Sequence, residues 1–223
     1  MEPTEPETFE EEKPSWYKGP LKLILSLFLI LLIILMAIPY YSIRLDPEPK
    51  YVPKISEVLL DQSNINLTNP IKLTNINQLG LLVNPKDPVI KRTSDKTVSL
   101  SCTEGKICQA KAIYYFVRDN IQYVSDPLGS EYLEDPKEVL YTGAADCESG
   151  SILLSSMLES IGIDTQLVLI TGHAYLRAKI PDALGKYKID DWVYLDWTCK
   201  TCEFGEIPWK NIRKQASYLE VGN

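Results

Sequence analysis

Apolar residues crowd into one unbroken run near the start of the chain; afterwards they recur first at helical spacing and then in strand-like alternation. Residues 23–43 carry no charge, and residues 23–38 are apolar except for Ser26. About twenty such residues cross a bilayer as a helix. Residues 21–43 are therefore expected to be a transmembrane anchor, with the lipid bilayer as their partner. A cleaved signal peptide would have a shorter apolar region, and Met36-Ala37-Ile38-Pro39-Tyr40 offers no small-x-small cleavage site.

Residues 44–86 are rich in Pro and Asn, with short apolar runs at 55–60 and 79–83. They read as a stalk that becomes an irregular N-terminal layer on the domain. Asp87-Pro88 has the form of an N-cap followed by proline in the first turn, with Val89, Ile90, Thr93, Thr97 and Val98 behind it. In the next helix Ile107, Ala110, Ile113, Tyr114, Val117 and Ile121 form one stripe, and Lys106, Lys111, Arg118 and Asp119 are expected on the opposite, solvent face. Asp135-Pro136, with Glu138 three residues past the aspartate, opens a short helix by the same capping logic.

The stretch YTGAADCESGSILLSSML, residues 141–158, follows. Gly143, Ala144, Ala145 and Asp146 read as a loop ending in an N-cap, and Ile152, Leu153, Ser156, Met157 and Ile161 recur at helical spacing. Cys147 then falls in the first turn, where free backbone N–H groups and the helix dipole favour a thiolate over a thiol. After Gly162 the texture changes to short, partly alternating runs at 165–170, 173–180 and 191–196. Turn-length gaps between them predict an antiparallel meander, and helices followed by strands make the domain α+β, with the cysteine helix packed on the sheet.

Charge removes one class of function. The formal net charge is -7, whereas phosphate neutralisation needs clustered Lys and Arg, so no nucleic acid is expected as a partner. Part of the negative charge is local: Glu2, Glu5, Glu7, Glu10, Glu11 and Glu12 alternate with Pro3, Pro6 and Pro14. Residues 1–20 are expected to be a disordered acidic tail, having too little apolar surface to fold.

His173 is the one histidine of the chain. It opens a strand, and Asp196 closes the next. Antiparallel neighbours set the start of one strand beside the end of the following one, so these side chains are expected to meet on the edge facing the cysteine helix. Nucleophile, base and orienting carboxylate are what a thiol hydrolase or acyltransferase needs.

The order Cys, His, Asp, with the cysteine opening a helix and the others on successive strands, resembles the transglutaminase-like superfamily, whose core is papain-related. The matching stretches are AADCESGSILLSSMLESIG, GHAYLRAKI and WVYLDWTC, preceded by FVRDNIQYVSD. The resemblance spans residues 87–210 and leads to a transglutaminase-like domain at 87–223. It implies Cys147 as nucleophile, His173 as general base and acid, and Asp196 as the orienting residue, acting on peptide or protein amides through a thioester. Water would resolve that intermediate as a peptidase or amidase does; an amine would resolve it as a cross-link. The backbone N–H of Cys147 is the one oxyanion donor assigned. Glu131, Tyr132 and the loop 126–135 are candidates for the cleft wall. A non-catalytic, membrane-tethered binding or scaffolding module with the same fold is the alternative.

Four cysteines remain. Cys102 and Cys108 bracket a short loop, and Cys199-Lys200-Thr201-Cys202 follows Asp196 directly, so each pair is close enough for a local disulfide. A zinc site built from Cys102, Cys108, Cys199 and Cys202 is the rival, although the first pair is more widely spaced than most zinc hairpins. No other cofactor is expected. Lys13, Lys18 and Lys22 before the apolar run balance Arg44, Lys50 and Lys54 after it, so charge leaves orientation undecided. Disulfides persist in oxidising compartments, which favours an extracytoplasmic domain. Asn66-Leu67-Thr68 is a glycosylation sequon consistent with that placement.

Overall fold

A computed structural model describes residues 19–59, 75–126 and 132–222 of the protein. The tail before residue 19, the Asn66 sequon and Glu131 lie outside the described residues. Leu45–Asn223 forms one compact unit, and the residues before it, Met1–Arg44, another.

The first unit carries helix α1, Pro20–Leu45. Within it Pro20–Ile38 is long and apolar enough to cross a membrane, and none of that stretch is buried against protein.

The second unit is a mixed helix and antiparallel-sheet domain. After α2 (Ile55–Val58) and a 3-10 helix, Ile76–Leu82, whose N-cap Asn75 accepts from the Asn77 N–H, come α3 (Pro88–Ser101) and α4 (Lys106–Asn120). Asp87 caps α3 by accepting from the Val89 and Ile90 N–H groups, with Pro88 in the first turn. A short strand β1 (Gln122–Tyr123), α5 (Pro136–Thr142), strand β2 (Ala144–Ala145) and α6 (Cys147–Ser160) follow. Asp135 caps α5 through the Lys137 N–H, and Gly143 ends that helix at φ 67°, a left-handed position where glycine carries no Cβ penalty. Parallel pairing of β1 with β2 holds the Cys147 loop against the end of α4.

Helix α6 is buried almost all round. Ile152, Leu153, Leu154, Met157 and Leu158 have no exposed surface, and each contributes about 1.5–3 kcal/mol by leaving water. Its buried serines are satisfied locally: Ser151 Oγ donates to the Cys147 carbonyl at 2.7 Å, and Ser156 Oγ donates to that of Ile152 at 2.8 Å. Small residues on such a helix let α3, α4, α5 and the sheet approach it from several sides.

The sheet contains β3 (Thr165–Ile170), β4 (His173–Lys179), β5 (Lys188–Ile189), β6 (Trp192–Leu195) and, beyond the short helix α7 (Trp209–Ile212), β7 (Ser217–Glu220). Its order is β5-β6-β4-β3-β7, antiparallel throughout. The expected meander is therefore its centre, flanked by two strands that local patterning did not reveal. Lys188–Ile189 turns into β6 through Asp190 and Asp191, both at positive φ (50° and 66°), the geometry of a tight two-residue hairpin.

One expectation about α4 is corrected. Lys111 was placed on the solvent face, yet it is 0% exposed. Its ammonium bonds to Asp46, at 2.5 Å, and to Glu48, and lies over the rings of Tyr187 and Phe204. The chain at residues 46–48 folds back over what would otherwise be the polar side of the helix, and a buried ammonium persists because two carboxylates meet it.

Candidate active site

Cys147, His173 and Asp196 lie at three element ends: the first residue of α6, the first of β4, and the residue just past β6. Asp146 caps α6 by accepting from the Ser149 N–H at 2.8 Å, which fixes where the helix begins and so where the sulfur sits. The register of β4 with β6 pairs Leu176 with Leu195. His173 therefore lies a short step from Asp196, on the opposite side of the sheet from Leu176 and Leu195.

His173 Nε2 is 2.8 Å from Asp196 Oδ2. Asp196 is fully buried, and its other oxygen accepts from the Thr198 N–H at 3.1 Å and the Thr198 hydroxyl at 2.7 Å. Both carboxylate oxygens are thus engaged, as burial of such a group requires. With Nε2 turned to the carboxylate, Nδ1 is the ring nitrogen left for proton exchange with a reacting group.

Cys147 is the free cysteine and is buried. The backbone N–H of Ala174, the residue after His173, is near enough to pull the thiol's pKa down, while Ser151 Oγ donates to the Ala174 carbonyl at 3.3 Å. The helix mouth and the start of β4 are in this way stitched together beside the sulfur. From the far side, the Trp197 indole N–H donates to the Cys147 carbonyl at 3.4 Å. Trp197 fits because residue 150 is glycine: a Cβ there would stand 2.1 Å from the indole ring.

The protonation of Cys147 departs from the expectation that a helix mouth favours a thiolate. Its thiol donates to Glu148 Oε2 at 2.7 Å. Burial first, then the hydrogen bond and charge of Glu148, push the thiol up to about 12, against the opposing pull of the Ala174 N–H. Desolvation and an adjacent carboxylate outweigh the helix dipole, which acts only over the first turn.

Beside Asp146, the residue before Cys147, lies a cavity of about 330 Å³ walled also by Asp126, Tyr132 and Glu134. Tyr132 and part of the 126–135 loop thus stand next to the cysteine's N-cap. Burial, reinforced by neighbouring Glu148, raises Asp146 to about 7; burial, with Glu138 and Asp126 nearby, raises Glu134 to about 7. This is an acidic wall. Among the described residues no group of three or more His, Cys, Asp or Glu side chains is disposed to hold a metal ion.

The pairs that sequence left open between zinc and disulfide bonding are disulfides, Cys102–Cys108 and Cys199–Cys202. The second closes the turn directly after Asp196, and Tyr114 Oη donates to the carbonyls of Asp196 and Cys202 at 3.3 and 3.2 Å. The carboxylate is therefore anchored to α4 from behind.

Residues 93–197 match the family model of the transglutaminase-like superfamily. The matched stretch contains Cys147, His173 and Asp196. No curated protein matches the chain. Among solved structures, a candidate protease from Parabacteroides distasonis is similar over 52% of this chain, at 15% identity and TM-score 0.40, and the chain spans a quarter (25%) of that protein's length. LapG of Legionella pneumophila is similar over 60% of this chain and 78% of its own, at 14% identity and TM-score 0.38. An EGTA-treated form of LapG gives the same identity and TM-score, with 76% of its length covered.

Three contributors were not read from the sequence. Thr198 sits beside Asp196 and could have been found as a small hydroxyl two residues past a strand-end carboxylate. Glu148 follows the cysteine directly, and only the structure shows its carboxylate accepting from the Cys147 thiol. The fit of Trp197 to Gly150 joins residues far apart in the chain and leaves no local signal.

Proposed function

We propose that the chain is a single-pass, membrane-anchored thiol enzyme that cleaves peptide or protein amides with Cys147 as nucleophile, His173 as base and acid, and Asp196 as the group that orients the imidazole. The domain lies outside the cytoplasm. One observation carries the reading: a buried, doubly engaged carboxylate holds the chain's single imidazole at 2.8 Å, and Ser151 links the carbonyl of the next residue, Ala174, to that of the free Cys147. Two disulfides support the placement in an oxidising compartment, and α1 supplies the span.

The reaction then runs in two halves. As the sulfur attacks the amide carbon, its proton passes to His173, and the Cys147 N–H receives the developing oxyanion. Collapse of the tetrahedral species breaks the C–N bond, and His173⁺ gives its proton to the leaving amine. A thioester remains. Water, losing a proton to His173, attacks the thioester, the C–S bond breaks, and the thiol is restored as the acid product leaves. An amine entering in place of water would make a new amide, so the same intermediate serves acyl transfer.

The full chain in nanodiscs, offered a mixture of unmodified peptides and an amine probe, tests this reading. Cys147→Ala should lower amide cleavage by about 10³-fold or more, with the fold intact by circular dichroism. Undiminished cleavage by that variant would end the proposal.

A second reading, a tethered binding module without chemistry, draws on the thiol held by Glu148 and raised to about 12. It predicts that no peptide is cleaved and that Cys147→Ala leaves peptide binding unchanged.

A further inference from the structure

On the outer face of the sheet, away from α6, lies a groove of about 690 Å³. Its rim holds apolar side chains that the fold leaves uncovered: Trp209 is 81% exposed, Ile189 66% and Ile212 63%. Lys210, Arg213 and Lys214 alternate with them along the same segment and are exposed too. In a chain of net charge -7 this is a local reversal. Three lysines and a single carboxylate, Glu206, line the groove. An exposed tryptophan flanked by isoleucine and by cations is the composition that settles at a membrane interface, where the ring lies at headgroup depth and the ammonium groups meet lipid phosphates.

Asp46, the first residue after α1, bonds to Lys111 at 2.5 Å, to the Tyr187 hydroxyl at 2.7 Å and to Lys186 at 3.1 Å. Tyr187 and Lys186 form one wall of the groove. Asp46 is eight residues past Ile38, where the stretch able to cross a membrane ends, and eight residues of helix rise only about 12 Å. Chain connectivity therefore tethers the groove, through its own wall, to the stretch able to cross a membrane. A surface so tethered meets the bilayer at a high effective concentration, so modest affinity is enough.

We infer that Ile189, Trp209 and Ile212, with Lys210, Arg213 and Lys214, rest in the anionic headgroup layer of the bilayer that the chain spans; this rests on the anchored reading above. Docking there would fix the height at which the Cys147 site faces its substrates.

Full-length chain carrying Trp16→Phe, reconstituted in nanodiscs of brominated phosphatidylcholine with phosphatidylglycerol, tests the inference. Bromine should quench part of the tryptophan emission, and Trp209→Phe should remove that quenched part, leaving only Trp192 and Trp197. Lys210→Glu with Arg213→Glu should reduce the quenching while the fold persists. If emission is the same in brominated and unbrominated discs, or if quenching survives Trp209→Phe, the docking is overturned, and a protein partner becomes the occupant to seek. Extraction of the wild-type chain from liposomes by alkaline carbonate is the separate test of the span. Release of the chain would overturn the anchor, and the docking with it; retention with an unquenched Trp209 would overturn the docking alone.

Discussion

The two halves of the candidate site are prepared differently. On the sheet side, His173 and Asp196 are bonded to each other, and Thr198 satisfies the remaining oxygen of the buried carboxylate. On the helix side, the Cys147 thiol points at a carboxylate, in a neighbourhood where burial has raised Asp146 and Glu134 to about 7. The proposed base is fully supported, whereas the proposed nucleophile is held as a thiol. An imidazole that must take the sulfur's proton during attack suits such a site better than a preformed thiolate would. The contrast teaches that a helix mouth does not by itself set a cysteine's ionisation; the charges and solvent beside it decide.

The largest test of this contrast is Asp196→Asn. It keeps the size of the side chain but turns the imidazole tautomer, and amide cleavage should fall by about 10⁴-fold with little change in melting temperature. Full activity in this variant would remove the sheet side from the mechanism.

Gly150→Ala follows. The added methyl would overlap the Trp197 ring, and overpacking of this kind costs about 1–3 kcal/mol. Denaturant unfolding should show that loss, together with slower turnover, because Trp197 links the helix mouth to the strand end bearing Asp196. Unchanged stability would show that α6 and Trp197 are less tightly fitted than the geometry requires.

Glu148→Gln sharpens the helix side. Removing the negative charge should bring the Cys147 titration down from about 12, and each unit of that fall raises the thiolate fraction near neutral pH about tenfold. Iodoacetamide labelling rates across pH read this directly. An unmoved midpoint would assign the raised value to burial alone.

The smallest effect is expected at Glu134. Its carboxyl is raised to about 7 in the fold from an ordinary 4.5, so the native state keeps a proton that the unfolded chain has already released. Stability from this group falls as pH rises from about 4.5 to about 7. Glu134→Gln should match wild type near pH 5 and melt slightly higher near pH 8, as thermal unfolding at the two pH values would show. A higher melting point at both would point to packing instead.

Much of the architecture follows from short-range pattern. Asp87-Pro88 and Asp135-Pro136 start helices because an aspartate oxygen meets free N–H groups where proline needs no partner. The runs at 165–170 and 173–180 pair as antiparallel neighbours across a two-residue turn, the run at 191–196 returns antiparallel beside the second, and that strand order carries His173 to Asp196. Cys102–Cys108 and Cys199–Cys202 could be paired by proximity in sequence. Where patterning failed, the missing information lay far along the chain. β7 pairs with β3 across more than forty residues, and its four residues carry too weak an alternation to announce themselves.

By itself, then, the sequence determined the helices and their caps, the central strands and the long apolar run, since each depends on neighbours within a turn or a hairpin. Tertiary structure alone decided that Lys111 is buried beneath Asp46 and Glu48, that Trp197 locks into the notch at Gly150, that burial and Glu148 raise the Cys147 thiol, and that an apolar, cationic rim gathers on a groove whose wall bonds Asp46. Each of these is set by desolvation or by contact between distant segments, and neither exists until the chain has packed.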